Sequence, residues 1–126
     1  MRPELIAFVL ALTLLTLWGC DRLLNGGATS SGVSVGKVDG KVARELVAEG
    51  AQLLDVRTPS EFSQGHIDGA LNIPVGEIQG RLSELTSKSK PVVVYCRSGG
   101  RSAKAAKLLT TAGFEAVYDL GGQGNW

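Results

Sequence analysis

The sequence predicts an α/β domain with a largely parallel sheet flanked by helices. Two short apolar segments, Gln52–Val56 and Val92–Tyr95, read as buried strands. Stretches of helical composition follow such strands, and glycines close two of them, at Gly50 and Gly113. Strands alternating with helices favour parallel pairing, because a parallel return needs a crossover. In such sheets ligands collect at the carboxyl ends of the strands, where Asp55 and Cys96 both fall.

The chain has 126 residues, a length suited to one folded domain. Residues 1–20 stand apart. Arg2 precedes an apolar run from Leu5 to Trp18 that is interrupted only by threonines. The run has the length of a signal-peptide core and falls short of the ~20 residues a spanning helix needs. It ends in Leu17-Trp18-Gly19-Cys20, which resembles a bacterial lipobox with Cys20 as the lipidated residue. Trp18 is bulky for that pattern and Glu4 weakens the basic start, so an uncleaved short anchor is the alternative. Either reading tethers the chain to a membrane; the lipobox reading makes it an exported lipoprotein facing the periplasm or the cell exterior. Residues 21–32, small and polar from Asn25 to Gly32, form a flexible linker.

The folded domain is expected over residues 33–126. Val33, Val35 and Val38 give a weak strand. Asp39 caps a helix whose apolar stripe is Val42, Leu46 and Val47. After the strand ending at Asp55, Pro59 suits the first turn of a short helix. Gly65 to Ala70 is a compact turn leading to Leu71–Ile73. Glu77 to Leu85 reads as a further helix, weakened by Gly80. The central strand follows, then a helix from Arg101 to Leu109 with Ala105, Leu108, Leu109 and Ala112 on one face. Glu115–Asp119 is the last strand, and Gly121, Gly122 and Trp126 close the chain.

The chemistry concentrates between the central strand and its helix, in Cys96-Arg97-Ser98-Gly99-Gly100-Arg101-Ser102. Gly99 and Gly100 tolerate the backbone angles that turn several N–H groups inward. The open helix end adds donors and the positive end of a dipole. Arg97 and Arg101 are expected to reinforce that field and to lower the thiol pKa. A buried structural cysteine is the plainer reading, but it requires neither the glycine pair nor two arginines.

Charge is nearly balanced, with a formal net of +1, so nucleic acid is not an expected partner. A single histidine and two widely separated cysteines offer no metal constellation, and no cofactor is expected. Cys20 and Cys96 are not expected to pair, so an exported chain must keep Cys96 reduced or persulfidated by other means.

Five segments then combine: Leu54–Arg57, Glu61-Phe62, Gly65–Ala70, Tyr95–Ser102 and Leu120–Gly122. Their order and spacing resemble a single-domain rhodanese of the exported bacterial type, over residues 33–126. The resemblance implies a thiosulfate sulfurtransferase with Cys96 as nucleophile and persulfide carrier. It further implies that the Arg97–Ser102 amides hold the outer sulfur and that Arg97 and Arg101 attract the donor anion. Ser98 and Ser102 would add hydroxyl donors. Asp55 and Arg57 are rim residues or an internal ion pair, Glu61 partners a backbone group or a cation, and His66 is structural. The implied partners are a small sulfur-donor anion and an external thiol or cyanide acceptor, with the protein a monomer. Relatives usually continue past the tryptophan into a closing helix, so ending at Trp126 predicts bare apolar surface and marginal stability.

Two alternatives use the same loop. One is a non-catalytic persulfide carrier or redox-responsive binding module. The other is a phosphatase or arsenate reductase, whose oxyanion needs a Cys-x5-Arg loop; Cys96 and Arg101 stand in a Cys-x4-Arg spacing.

Overall fold

The computed structural model describes residues 34–126. The segments expected to carry the signal, the lipid on Cys20 and the linker lie outside the described residues. One sheet of five parallel strands organises the domain, in the order β1-β5-β4-β2-β3. The strands are β1 (Ser34–Lys37), β2 (Gln52–Asp55), β3 (Leu71–Asn72), β4 (Val92–Cys96) and β5 (Ala116–Gly122). The helices are α1 (Gly40–Ala48), α2 (Pro59–Ser63) and α3 (Gly100–Thr111).

β4 lies in the middle, and all its residues are buried. A strand covered on both faces can be apolar throughout, which explains the unbroken Val92–Tyr95 run. Its side chains alternate between two cores. Val92, Val94 and Cys96 join Leu54, Val56, Ala105, Leu109 and Phe114 beneath α3. Val93 and Tyr95 join Ala43, Leu53, Ile67 and Leu120 beneath α1.

Local signals set most boundaries. Asp39 accepts a hydrogen bond from the Val42 amide and caps α1, and Gly50 follows the helix end with φ +107°. Thr58 caps α2, with Pro59 at its first turn. In α3, Ala105, Ala106 and Leu109 are buried while Lys104 and Lys107 are exposed. The stripe expected for α1 shifts, however. Ala43 is buried and Val42 is exposed, because the helix lies close to the sheet on its smallest side chains.

Three expectations are corrected. Glu77–Leu85 is not one helix but two 3₁₀ segments, Val75–Gly80 and Leu82–Glu84. Ile78 and Leu85 are buried there, and the tighter 3₁₀ turn serves short connections. The last strand does not stop at Asp119. It passes a bulge, so that Val94 faces Asp119 while Tyr95 faces Gly121, and it runs on to Gly122 beside Cys96. Gly121 takes φ +82°, and the Asp119 carboxylate accepts its amide proton at 2.8 Å.

The apolar surface expected beside Trp126 is not bare. Trp126 packs on the α1-side core, and the Arg44 guanidinium donates to its carbonyl oxygen. Among the described residues, the large apolar side chains left exposed are Val35 and Val42.

Gly40 makes that C-terminal contact possible. A Cβ there would stand 2.1 Å from the Asn125 carbonyl oxygen, a backbone atom that cannot swing away. Gly40→Ala should lower unfolding free energy by about 1–3 kcal/mol, the range for forced overpacking. Urea denaturation with Gly36→Ala as control, a position with open space around it, checks this. Equal midpoints for the two variants would remove the close-approach explanation.

Candidate active site

Cys96 ends β4 and is fully buried, its side chain turned towards the start of α3. Gly99 caps α3 in a left-handed conformation, φ +107°, which a side chain would strain. That turn points the Gly99 amide at the sulfur, 2.9 Å away. The Ser102 hydroxyl lies 3.5 Å from the sulfur and donates to the Gly99 carbonyl at 3.0 Å. Gly100 needs no special angle, because it is already the first helical residue.

Burial by itself pushes the Cys96 thiol up. The hydrogen bond shared with the Ser102 hydroxyl, in which the thiol donates, and those from the Ser102, Gly99 and Ser98 amides outweigh burial, and the net pKa is lowered. Of the two arginines expected to lower this pKa, Arg101 does interact with the Cys96 thiolate through its charge, but the larger effects are hydrogen bonds at the sulfur. Arg101 turns to Glu61 and makes two hydrogen bonds of 2.9 Å to its carboxylate oxygens. Arg97 is exposed, with no hydrogen-bond partner among the described residues. Dipoles held at the sulfur do most of what the guanidiniums were expected to do. The Ser98 side chain is likewise exposed, and its contribution comes from its amide.

Asp55 and Arg57 form an internal ion pair at 2.7 Å, with Asp55 fully buried. Arg57 also donates to the Gly65 carbonyl, tying the turn after α2 to the end of β2. Beside the pair, Tyr95 accepts from the Ile67 amide at 3.1 Å. Burial raises the Tyr95 phenol to about 12, so it stays protonated at neutral pH. His66 stacks on Phe62 with ring centroids 3.6 Å apart, and its Nδ1 lies 2.9 Å from the Phe62 carbonyl oxygen. No hydrogen bond joins it to Cys96.

A polar cleft of ≈ 350 Å³ opens beside the loop, lined by Arg57, Glu61, Gln64, Gly65, Arg97 and Gln123. Arg57 thus reaches the rim while Asp55 stays beneath it. Gln64 and Gln123 had no motif to mark them; each is a single amide in a turn. Gly122 was legible only as a closing glycine. A Cβ there would sit 2.7 Å from the Arg97 carbonyl oxygen, so the loop rests directly on β5.

The rhodanese-like domain model matches residues 39–126, from the cap of α1 through the loop to the last residue. The chain belongs to the rhodanese-like domain family. Its relatives include a chloroplastic thiosulfate sulfurtransferase of Arabidopsis thaliana, 41% identical over 97 residues, covering 68% of this chain and 81% of that protein. A sulfurtransferase of Allochromatium vinosum is 40% identical over 90 residues, covering 70% and 83%. Among solved structures, a rhodanese with anions from E. coli matches with a TM-score of 0.58 at 33% identity, covering 61% of this chain and 92% of that one.

In this rhodanese-like domain the Ser102 hydroxyl is one of the groups that lower the thiol pKa, by turning its proton from the Gly99 carbonyl to the sulfur when the thiol ionises. Ser102→Ala should raise the Cys96 pKa, so the midpoint of alkylation against pH moves upward. Iodoacetamide labelling followed by mass spectrometry measures it. A profile that stays in place, or moves down, would contradict the assigned hydrogen bond.

Proposed function

We propose that this protein is a sulfurtransferase that moves a sulfane sulfur from thiosulfate, or a similar donor, to an external thiol or cyanide. The carrying observation is the Gly99 amide 2.9 Å from a buried sulfur at the start of a 12-residue helix. Such a seat favours the thiolate and any anion that replaces it. The family membership and the relatives named sulfurtransferases support the same reading.

In the first half-reaction the Cys96 thiolate attacks the outer sulfur of thiosulfate. A new S–S bond forms, the old one breaks, and its electron pair leaves with sulfite. The product is a persulfide anion on Cys96. In the second half, cyanide or a thiolate attacks that terminal sulfur and Cys96 leaves as thiolate. No redox partner is required, and the kinetics are ping-pong. The Ser98, Gly99 and Ser102 amides, preorganised by the helix, stabilise the anion at each stage. Because Cys96 is fully covered in the reduced form, donor entry requires the side chains over the loop to move.

We also propose that Cys20 carries lipid and that the domain faces the periplasm or the cell exterior as a monomer. The lipid and the location rest on the N-terminal sequence alone. The carrier alternative differs from the enzyme only in turnover, and the phosphatase alternative is disfavoured by the Cys-x4-Arg spacing.

Full-length protein in detergent, treated with thiosulfate, should gain one sulfur atom on Cys96 and release thiocyanate repeatedly when cyanide is added. Cys96→Ser should do neither, and full turnover by that variant would end the proposal. Persulfide formation without repeated turnover would favour the carrier. For the anchor, labelled fatty acid should enter wild type but not Cys20→Ala. An unlabelled wild type with its N-terminus intact would favour the uncleaved segment.

A further inference from the structure

Three guanidiniums approach the cleft, and they are not equivalent. Arg57 is spent on Asp55, at 2.7 Å in a buried pair. Arg101 is spent on Glu61 through two bonds of 2.9 Å, with both partners about one-third exposed or less. Arg97 is exposed and without a hydrogen-bond partner among the described residues. Arg57, Glu61 and Arg97 line the same cleft, with Gln64 and Gln123 supplying neutral amides.

Glu61 occupies a deliberate place electrostatically. Arg101 stands in the first turn of α3, where a cation opposes the positive end of the helix dipole. The Glu61 carboxylate offsets that charge. Thr58, which caps α2, hydrogen-bonds Glu61 through both its hydroxyl and the Glu61 amide, so the carboxylate is held rather than free to swing away. The Arg101 hydrogen bonds, opposed in part by desolvation, keep its pKa below the usual carboxylate range. It is therefore ionised wherever the thiolate is.

We infer that Glu61 is a specificity-determining residue: by offsetting Arg101 it leaves Arg97 as the cleft's one cation without a carboxylate partner among the described residues, and so favours monoanionic over dianionic sulfur donors. The inference rests on the sulfurtransferase reading and names the charge class of its donor. A thiosulfonate, R–SO₂–S⁻, carries one negative charge, whereas thiosulfate carries two. With a thiosulfonate, the Cys96 thiolate takes the outer sulfur and the S–S electron pair leaves on the sulfinate, R–SO₂⁻. Charge is conserved, and the departing group carries a single negative charge past a single cation. With thiosulfate the departing sulfite carries two, and the Glu61 carboxylate repels it.

The test compares kcat/KM for thiosulfate and methanethiosulfonate, with cyanide as acceptor, in full-length wild type and variants. Differences in leaving-group chemistry cancel when the ratio of the two donors is followed across proteins. Glu61→Gln should raise the thiosulfate-to-thiosulfonate ratio by roughly three- to tenfold at low salt, the effect of one nearby partly screened charge. The gain should shrink as ionic strength rises. Glu61→Asp, which keeps the charge, should stay near the wild-type ratio. Arg97→Gln should move the ratio the opposite way, by a similar factor.

An unchanged ratio in Glu61→Gln, or equal losses with both donors, would overturn the inference and leave Glu61 a structural clamp. If Glu61→Gln takes up no sulfur from either donor, the Arg97→Gln arm decides, and an unchanged ratio there overturns it. A wild-type protein that forms no Cys96 persulfide with either donor overturns the sulfurtransferase reading itself. Persulfide formation with a charge-independent ratio overturns only the role of Glu61.

Discussion

The arrangement depends on one constraint: β4 must end at Cys96, and α3 must begin within four residues of it. A strand and a helix joined so tightly cannot be linked by an ordinary chain. Gly99 takes a left-handed angle to make the turn, and in doing so aims its amide at the sulfur 2.9 Å away. The turn that solves the connection problem also brings an amide to the sulfur. The surroundings accommodate it in turn. The bulge in β5 brings Gly122 beside Cys96, and its missing side chain leaves room for the Arg97 carbonyl.

The electrostatics divide between dipoles and charges according to distance from the sulfur. Close to it, amides and the Ser102 hydroxyl act, and they outweigh the desolvation that burial imposes on a thiolate. Further out, charges are mostly matched in pairs. A buried guanidinium without a carboxylate would carry a desolvation cost of several kcal/mol. Arg57 accordingly meets Asp55, and the pair also fastens β2 to the turn at Gly65. Arg101 meets Glu61 and fastens α2 to α3. Ion pairs thus position the elements around the loop, while the loop's own backbone addresses the Cys96 sulfur.

That division bears on how a generic family fold acquires its own preferences. The amide ring follows from backbone geometry and tolerates many side chains in the loop. The cleft beside it is made of side chains from α2, the following turn, the loop and the C-terminal turn. Changes there alter what approaches the sulfur without disturbing the seat that holds it.

The sequence by itself determined the fold class, the order of most elements, the loop that carries Cys96 and the family. These follow from local rules: an apolar run long enough only for a buried strand, helix-start signals such as Asp39 and Pro59, and a loop whose residue types are rare together. The tertiary structure alone decided which charges remain available and which amides reach the sulfur. Arg97 and Arg101 look alike in the chain, and only the 40-residue separation closed between Arg101 and Glu61 tells them apart. Gly99 and Gly100 look alike too, yet one turns the chain and the other starts a helix. The continuation of β5 past Asp119 was hidden because a bulge at a glycine resembles a strand end until its neighbour β4 is in place. Local propensity fixes what a segment tends to be, whereas pairing across the sheet and across the cleft fixes what each side chain is left free to do.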